Sequence, residues 1–165
     1  MIISLDTSST AVGVAAFHHD GRNADRTCRL TPNYSGAACV AKFTMLADEV
    51  KAYLNEIWDE FGPITIAVIE EAPTFSKQGS IAPQNRAYGV ILHLLHSMGI
   101  KRIYEVKIAT WTKGKSKESR QWRLRQKLGL AESDDRGGDA LDALMLGQWW
   151  CARNPDKLIR ERQAV

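Results

Sequence analysis

The sequence lacks several features that would assign it to a membrane, secreted or disulfide-stabilised protein. No run of eighteen apolar residues occurs, so the sequence predicts no transmembrane helix. The first ten residues have neither a basic flank nor a long apolar stretch, and we therefore expect no signal peptide. The 3 cysteines have no CxxC spacing, which argues against a disulfide framework and a zinc site. Together these absences indicate a protein of the reducing cytoplasm.

The basic side chains are concentrated in one part of the chain. The net charge is +3, yet residues 101–129 alone hold ten basic and two acidic side chains, and acidic side chains are in excess on both sides of this segment. Such an asymmetry indicates a polyanionic partner that contacts one surface, and the alternative is a merely solvated basic face. The candidates for phosphate contacts are Lys113, Lys115, Lys117, Arg120, Arg123, Arg125 and Lys127.

Two tryptophans lie close to these basic residues, Trp111 before them and Trp122 among them. Aromatic side chains beside a basic patch can stack on unpaired bases. Large aromatic side chains are, however, more often part of a hydrophobic core. We therefore expect both tryptophans to be buried, with base stacking as the alternative.

The order of apolar patterns predicts a mixed α/β domain with helices against a central sheet. Apolar and β-branched runs predict strands over residues 2–6, 11–17, 26–30, 64–70 and 102–106. The sequence further predicts helices over residues 38–61, 83–98 and 116–128 and a last helix that begins at residue 139. We expect one domain over residues 1–154 and a C-terminal tail over residues 155–165.

Acidic residues stand at three special places in this pattern. Asp6 and Glu70 each end an apolar strand, and ligands of open α/β sheets bind outside the carboxyl ends of the strands. Asp139 and Asp142 are three residues apart on the most apolar helix, so they are neighbours on one helix face. Four converging carboxylates would be strongly destabilising unless cations neutralise them. Their order and placement therefore predict one metal site.

Oxygen ligands without a cluster of His or Cys favour Mg²⁺, with Mn²⁺ as a substitute, over zinc. Two such ions about 4 Å apart can activate a water and stabilise the leaving oxygen in phosphodiester cleavage. Each acid taken alone also has a simpler interpretation. Asp6 suits a turn, Glu70 and Glu71 suit a solvated strand end, and the helix dipole favours Asp139. Asp142, one turn into the helix, is the acid that such interpretations explain least.

The segments IISLDTSSTAVGVAAF, IAVIEEAP and DALDALMLGQ resemble, in this order, the three acidic motifs of the RuvC-type Holliday-junction resolvases. The resemblance covers residues 2–150 and implies the ribonuclease H-like fold with a mixed five-stranded sheet. It implies a nuclease that uses two metal ions at the acidic site to cut branched DNA and leaves 5′-phosphate ends. The metal ligands and catalytic residues it implies are Asp6, Glu70, Asp139 and Asp142.

The resemblance also suggests residues that contact the DNA. The segment EVKIATWTKGKSKES resembles the family's segment of spaced lysines, which makes Lys107 and Lys117 candidates to hold the scissile region, with Lys107 in a catalytic role. Many family members carry an aromatic three residues after the Glu, which helps to open the junction. This chain has Pro73 there, and Phe75 becomes the candidate. Thr7 and Ser8 replace the usual Pro-Gly, which suits a divergent member such as one encoded by a bacteriophage.

The resemblance further implies a homodimer with the helix over residues 83–98 at the interface. Its residues Tyr88, Ile91, Leu92 and Leu95 would then supply an apolar contact between subunits. The alternative is that these side chains face the core of their own monomer. A symmetric dimer would present two active sites to a junction with two-fold symmetry.

Other functions remain open at this point. A flap, replication-fork or RNA-processing nuclease would use the same metal chemistry. A DNA-binding module without cleavage would retain the fold alone. The segment DTSSTAVGVA also resembles the first phosphate loop of actin-like nucleotide-binding proteins, although the sequence has no second glycine-rich loop.

Overall fold

Five strands form one mixed sheet. The structure is a computed structural model that describes residues 1–18, 23–72, 81–128 and 138–158. Strand β1 (Ile2–Thr7) pairs antiparallel with β2 (Val12–Phe17), and β2 pairs antiparallel with β3 (Ala24–Leu30). On its other side β1 pairs parallel with β4 (Ile66–Glu70), which pairs parallel with β5 (Arg102–Val106). The spatial order is β3-β2-β1-β4-β5, so the first predicted hairpin and all five strands are confirmed.

The helices lie between and after these strands. They are α1 (Cys39–Phe61), α2 (Ala82–Ser97), α3 (Ile108–Thr112), α4 (Lys117–Leu128) and α5 (Asp139–Arg153). Four of them agree with the predicted helices to within one residue at the ends that were predicted. Helix α3 was not predicted. Residues 155–158 form a further helical turn in which Leu158 is buried, while the proposed boundary at residue 154 stays a prediction.

The pleat of the strands divides the interior into two cores. Ile3 and Leu5 of β1 contribute to a core that includes the buried faces of α1 and α2. Ile2 of β1 and Val68 of β4 contribute to the second core, which includes the buried side of α5. Because successive side chains of a strand point to opposite faces, every second residue after Ile2 faces α5. This alternation decides where Asp6 points.

Helix α2 uses most of its apolar residues within its own subunit. Ile91 and Leu95 are fully buried in the first core, and Tyr88 packs against that core from a half-buried position. The alternative that these side chains face the core of their own monomer therefore holds for Ile91 and Leu95. Leu92 is half-buried.

Among the residues that the structure describes, no helix is both long enough and apolar enough to cross a membrane.

Candidate active site

Strand pleat and register bring Asp6 and Glu70 side by side. Asp6 lies on β1 at an even interval from Ile2, so its side chain faces α5, and the residue is only 8% exposed. Leu5 pairs with Ile69 across the parallel β1–β4 ladder, which puts Glu70 next to Asp6 one position further on. Both carboxylates thus stand at the carboxyl ends of neighbouring parallel strands, as the sequence predicts.

A glycine lets α5 approach the sheet beside Asp6. Gly13 on β2 pairs with Asp6 on one side and with Arg29 of β3 on the other. A Cβ atom at Gly13 would come within 2.0 Å of the Asp139 carbonyl oxygen, far inside van der Waals contact. The absence of a side chain at this position therefore allows the first turn of α5 to lie directly on the strand. Asp139 and Asp142 in that turn are consequently carried to Asp6 and Glu70.

Two further contacts and a glycine turn fix α5 on the same face. The Ser4 hydroxyl donates to the Ala143 carbonyl oxygen at 2.7 Å. A Cβ at Gly147 would lie 2.2 Å from the Phe17 ring, so this glycine too permits a close approach. Gly138, just before α5, has a φ of 73°, a conformation that glycine adopts readily. Asp139 and Asp142 are both buried, at 5% and 3% exposure.

The Lys117 ammonium contacts three of the four carboxylates. Its Nζ lies 3.2 Å from Asp139 Oδ1, 3.2 Å from Asp142 Oδ2 and 3.8 Å from Asp6 Oδ2. Lys117 is the first residue of α4, which lies against α5. Burial lowers the pKa of Lys117, but the three carboxylates outweigh this effect and leave its pKa above the ordinary value. Lys117 is therefore charged and partly neutralises the acidic cluster.

Each aspartate of α5 has a second basic partner. Arg29 Nε donates to Asp139 Oδ2 at 3.0 Å from the β3 side. Arg120 Nη2 donates to Asp142 Oδ1 at 3.2 Å, and Gln121 Nε2 donates to Asp142 Oδ2 at 3.1 Å. Buried carboxylates need such partners because an unpaired buried charge is costly. Both side chains are thus held in place from two directions.

An indole connects Glu70 to the same network. Trp111 Nε1 donates to Glu70 Oε2 at 2.8 Å. The Arg120 guanidinium lies over the Trp111 ring, 4.6 Å from its centroid, which is a favourable cation–π distance. Since Arg120 also contacts Asp142, the carboxylates of Glu70 and Asp142 are linked through Trp111 and Arg120.

Burial raises the pKa values of Asp6, Glu70 and Asp142. Burial, reinforced by the charge of Glu70, raises the pKa of Asp6 well above its ordinary value. Burial raises the pKa of Glu70 to about 7, against the opposing hydrogen bond from Trp111. Burial also raises the pKa of Asp142, although Lys117 and Arg120 counteract it. When ionised, the four carboxylates carry one charge more than Lys117, Arg29 and Arg120 neutralise, so the ionised cluster would favour an added cation.

The donor chemistry of this cluster fits a hard divalent cation, because it consists of carboxylate oxygens only. As the side chains stand, the described part of the chain has no group of three or more His, Cys, Asp or Glu arranged to hold a metal ion. The positive charge between the carboxylates is that of Lys117. A metal ion would thus have to take over contacts that Lys117 makes.

A cleft opens onto these residues. It has a volume of about 510 Å³, and its lining includes Asp6, Glu70, Asp139, Asp142, Lys115 and Lys117. We call it the carboxylate cleft. Lys115 is exposed at its edge. Acids in its floor and lysines at its edge suit a phosphate group that approaches a cation.

Three solved structures resemble this chain over most of its length. RuvC of Thermus thermophilus gives a TM-score of 0.61 at 18% identity, covering 92% of this chain and 95% of that chain. RuvC of T. thermophilus in complex with a Holliday junction substrate gives 0.65 at 18% identity, covering 95% and 96%. The yeast mitochondrial Holliday junction resolvase Ydc2 gives 0.54 at 11% identity, covering 98% and 83%. The chain has the fold of RuvC.

The predicted ribonuclease H-like fold with a mixed five-stranded sheet is thereby confirmed. No protein-family model and no curated protein matches the sequence. At these levels of identity the likeness to RuvC establishes the fold. The roles of individual residues rest on the geometry of the site.

Within this RuvC-like fold the predicted basic residues differ in exposure. Lys107, Lys113, Lys115 and Arg123 are exposed on and around α3 and α4. Arg120 is instead buried, at 9% exposure, with its guanidinium directed to Asp142 and to the Lys115 carbonyl oxygen. Its partners therefore lie inside the protein, and its predicted contact with DNA stays untested.

Two aromatic predictions have different outcomes and a third lies outside the described residues. Trp111 is buried, as expected. Trp122 is 63% exposed, so its predicted burial was wrong; it lies on the outer side of α4, two residues before the buried Leu124. Phe75 and Pro73 lie outside the described residues. Glu71 is half-buried, and its backbone N–H donates to the Val106 carbonyl oxygen.

Sequence reasoning missed the residues that hold the acids in place. Arg29 was predicted to be in a strand, but only the register through Gly13 puts it beside Asp139. Gln121 carried a usable signal, since it is four residues after Lys117 and therefore shares a helix face with it. Trp111 was expected in the core without its contact to Glu70.

Proposed function

We propose that this chain is a metal-dependent, structure-selective endonuclease that hydrolyses phosphodiester bonds in branched DNA, with the four-way junction as its substrate. The observation that carries this proposal is the convergence of Asp6, Glu70, Asp139 and Asp142 at one cleft. The fold of RuvC, which has been solved with a Holliday junction substrate, supports the choice of substrate.

We infer that the four carboxylates hold Mg²⁺, two ions in all, with Mn²⁺ as a substitute. Oxygen-only donors and the excess of negative charge support this inference. Divalent ions at such a site supply Lewis-acid chemistry for the hydrolysis of a phosphodiester. Binding them would leave Lys117 without its three carboxylate contacts. Its ammonium could then contact the phosphate that enters the cleft.

The surrounding residues have positioning roles in this proposal. Arg29 orients Asp139, and Arg120 together with Gln121 orients Asp142. Trp111 orients Glu70. Groups that orient metal ligands commonly influence metal affinity and rate as strongly as some ligands do.

The exposed basic residues would bind the DNA backbone outside the cleft. These are Lys107, Lys113, Lys115 and Arg123, and Lys107 keeps its predicted catalytic role as a proposal. Phosphate contacts of this kind position the strand without reading its sequence.

A homodimer would give the protein two such sites for paired cuts on a two-fold junction. On α2, the half-buried Tyr88 and Leu92 are the predicted interface residues that the monomer's core does not fully enclose. The three cysteines, Cys28, Cys39 and Cys151, are all free thiols, which supports a reducing compartment such as the cytoplasm.

Cleavage of a labelled synthetic four-way junction in Mg²⁺ tests the proposal, with a flap and a linear duplex as competing substrates. Asp142→Asn should abolish cutting, whereas Asp48→Asn, the same change at an exposed position of α1, should not. Circular dichroism would check that both variants fold. Paired nicks on opposite strands of the junction are expected. Equal cutting of flap and junction would contradict the proposed preference for junctions. No cutting of any substrate would overturn the proposed nuclease activity.

A further inference from the structure

A second cleft adjoins the carboxylate cleft, and its lining has an unusual combination of side chains. Its volume is about 310 Å³, which is in the range of sites for one small molecule. Four apolar side chains form its wall: Trp111, Leu124, Met145 and Trp149. The basic residues at its edge are Lys113, Lys115, Arg123 and Lys127. We call it the tryptophan cleft.

The basic edge and the apolar wall of the tryptophan cleft indicate which class of ligand it would bind. No acidic residue is among the described residues that line it, and its four edge residues named above are all exposed. An apolar wall with a basic edge complements a molecule that carries an apolar ring and a negative charge. An unpaired nucleotide has both parts, since its base offers a ring and its backbone a phosphate.

The wall also contains a hydrogen-bond donor with no acceptor. Trp149 Nε1 is buried and has no hydrogen-bond partner within the described residues. A buried donor without a partner is unfavourable, and most such groups in proteins find an acceptor. Nucleobases present carbonyl oxygens and ring nitrogens as acceptors. A base in the tryptophan cleft would bring such acceptors to the side chain that carries this donor.

The position of the cleft connects it to the proposed chemistry. Thr112, Lys115 and Arg120 line both clefts, so the two share a wall. A strand with one phosphate at the carboxylates would therefore have a neighbouring nucleotide close to the tryptophan cleft. Enzymes that act on nucleic acid accept single bases in pockets only when those bases are unpaired.

We propose that the tryptophan cleft binds one unpaired nucleotide of the DNA strand whose phosphate lies in the carboxylate cleft. The base lies against the wall of Trp149 and Met145, and the backbone phosphates lie along the edge. This inference rests on the proposed function, because it takes the strand in the carboxylate cleft to be DNA.

Anisotropy of a fluorescein-labelled strand of five thymidines tests the proposal in Ca²⁺, a divalent ion with oxygen ligands that takes the place of Mg²⁺ at the carboxylates. The comparison strand has the same five sugars and phosphates without bases. Wild type should bind the thymidine strand about tenfold tighter than the abasic one, since a base contact of this kind is worth roughly that factor. Trp149→Phe keeps an aromatic ring but removes the N–H, and it should reduce this ratio.

Two charge reversals test the edge of the cleft. Lys127→Glu should weaken binding of both strands and lower the salt dependence of binding by about one phosphate contact. Lys51→Glu is the matched control, because Lys51 is an exposed lysine on α1, which packs on the other face of the sheet. Lys51→Glu should leave binding unchanged.

Three results would overturn the proposal: equal affinity for the thymidine and abasic strands, equal weakening by Lys127→Glu and Lys51→Glu, or tighter binding of a uridine RNA strand than of the DNA strand. The assay measures no cleavage. A negative result therefore removes the nucleotide site alone, whereas a failure to cut junctions removes the proposed nuclease and leaves the binding result standing.

Discussion

Single residues explain how this protein tolerates acids on its most apolar helix. Asp139 and Asp142 are buried, yet each has two or more cationic or polar partners within 3.2 Å. Lys117 is shared by Asp139, Asp142 and Asp6. The aspartates are thus compatible with the apolar surroundings because positive charge reaches them from β3 and α4, and a bound cation would add to it.

Arg29 offers a test of how strictly Asp139 must be held. Arg29→Gln removes the contact from Nε to Asp139 Oδ2 without emptying the site. Loss of a group that orients a metal ligand typically lowers activity about ten- to a hundredfold, and we expect a decrease of that order in the rate of junction cleavage.

Arg26→Gln is the matched control for Arg29→Gln. Arg26 lies on the same strand, but its ion pairs are with Glu56 and Glu60 of α1 on the other face of the sheet. We expect the Arg26→Gln variant to cut junctions at the rate of wild type. Similar losses in the two variants would show that neutralising the strand, rather than freeing Asp139, causes the defect.

Glu70 gives the metal-free protein a predictable pH dependence. Burial raises its pKa from an ordinary 4.5 to about 7, so between these values the folded state binds a proton that the unfolded state releases. The stabilising effect of this proton is complete below about pH 4.5 and is lost as the pH rises through about 7. The free energy of unfolding should fall by on the order of 3 kcal/mol from this group.

Urea unfolding in EDTA at pH 5 and pH 8 measures this effect. Glu70→Gln has no titrating carboxyl at this position and should show a smaller loss of stability between the two pH values than wild type. Because Asp6 and Asp142 also have raised pKa values, some loss of the same sign should persist in the variant. An equal pH dependence in both proteins would contradict the account.

At the scale of secondary structure elements, the site depends on how closely α5 lies on β1 and β2. Gly13 and Gly147 leave room for it, and the Ser4 hydroxyl binds its backbone. The carboxylates of α5 reach those of the strands only through this close contact. The element that carries half of the acidic cluster is therefore positioned by residues that have no chemical role.

Gly13→Ala should disturb this contact. The added Cβ would lie 2.0 Å from the Asp139 carbonyl oxygen, so either α5 or β2 must shift. Overpacking of this kind costs about 1–3 kcal/mol, and we expect a loss of stability in that range together with weaker cleavage. Thermal or urea unfolding measures the first effect.

Gly89→Ala is the corresponding control on α2. A Cβ at Gly89 would meet nothing within 4 Å, and alanine is favoured over glycine inside a helix by about 1 kcal/mol. This variant should be at least as stable as wild type. If Gly13→Ala were as stable as Gly89→Ala, the close approach of α5 would not be a constraint.

The elements also show what the sequence could predict. Helices α1 and α2 are long, and their apolar residues recur every three or four positions, so their bounds were predicted to within one residue. Asp6 and Glu70 were found because each ends an apolar strand, and strand ends meet at one edge of a parallel sheet. Helix α3 was missed because its five residues are too short to show a period. Arg29 was missed because strand register depends on the whole sheet.

At the scale of the whole molecule, the two faces of the sheet differ in composition and charge. The face of α1 and α2 is the larger apolar core, and its outer side chains are mixed in charge. The face of α5 has the acidic cluster, and α3 and α4 beside it have most of the basic excess. A polyanion would therefore be attracted to the face that has the carboxylates, where a cation is needed to bring the two together.

The central claim is that Asp6, Glu70, Asp139 and Asp142 form a site for divalent cations. Calorimetric titration of the metal-free protein with Mn²⁺ tests it most directly, with Asp6→Asn to disrupt the site and Asp48→Asn as a control at an exposed position of α1. We predict saturable binding to wild type and Asp48→Asn and its loss or strong weakening in Asp6→Asn. No binding to wild type, or equal binding to all three proteins, would contradict the account.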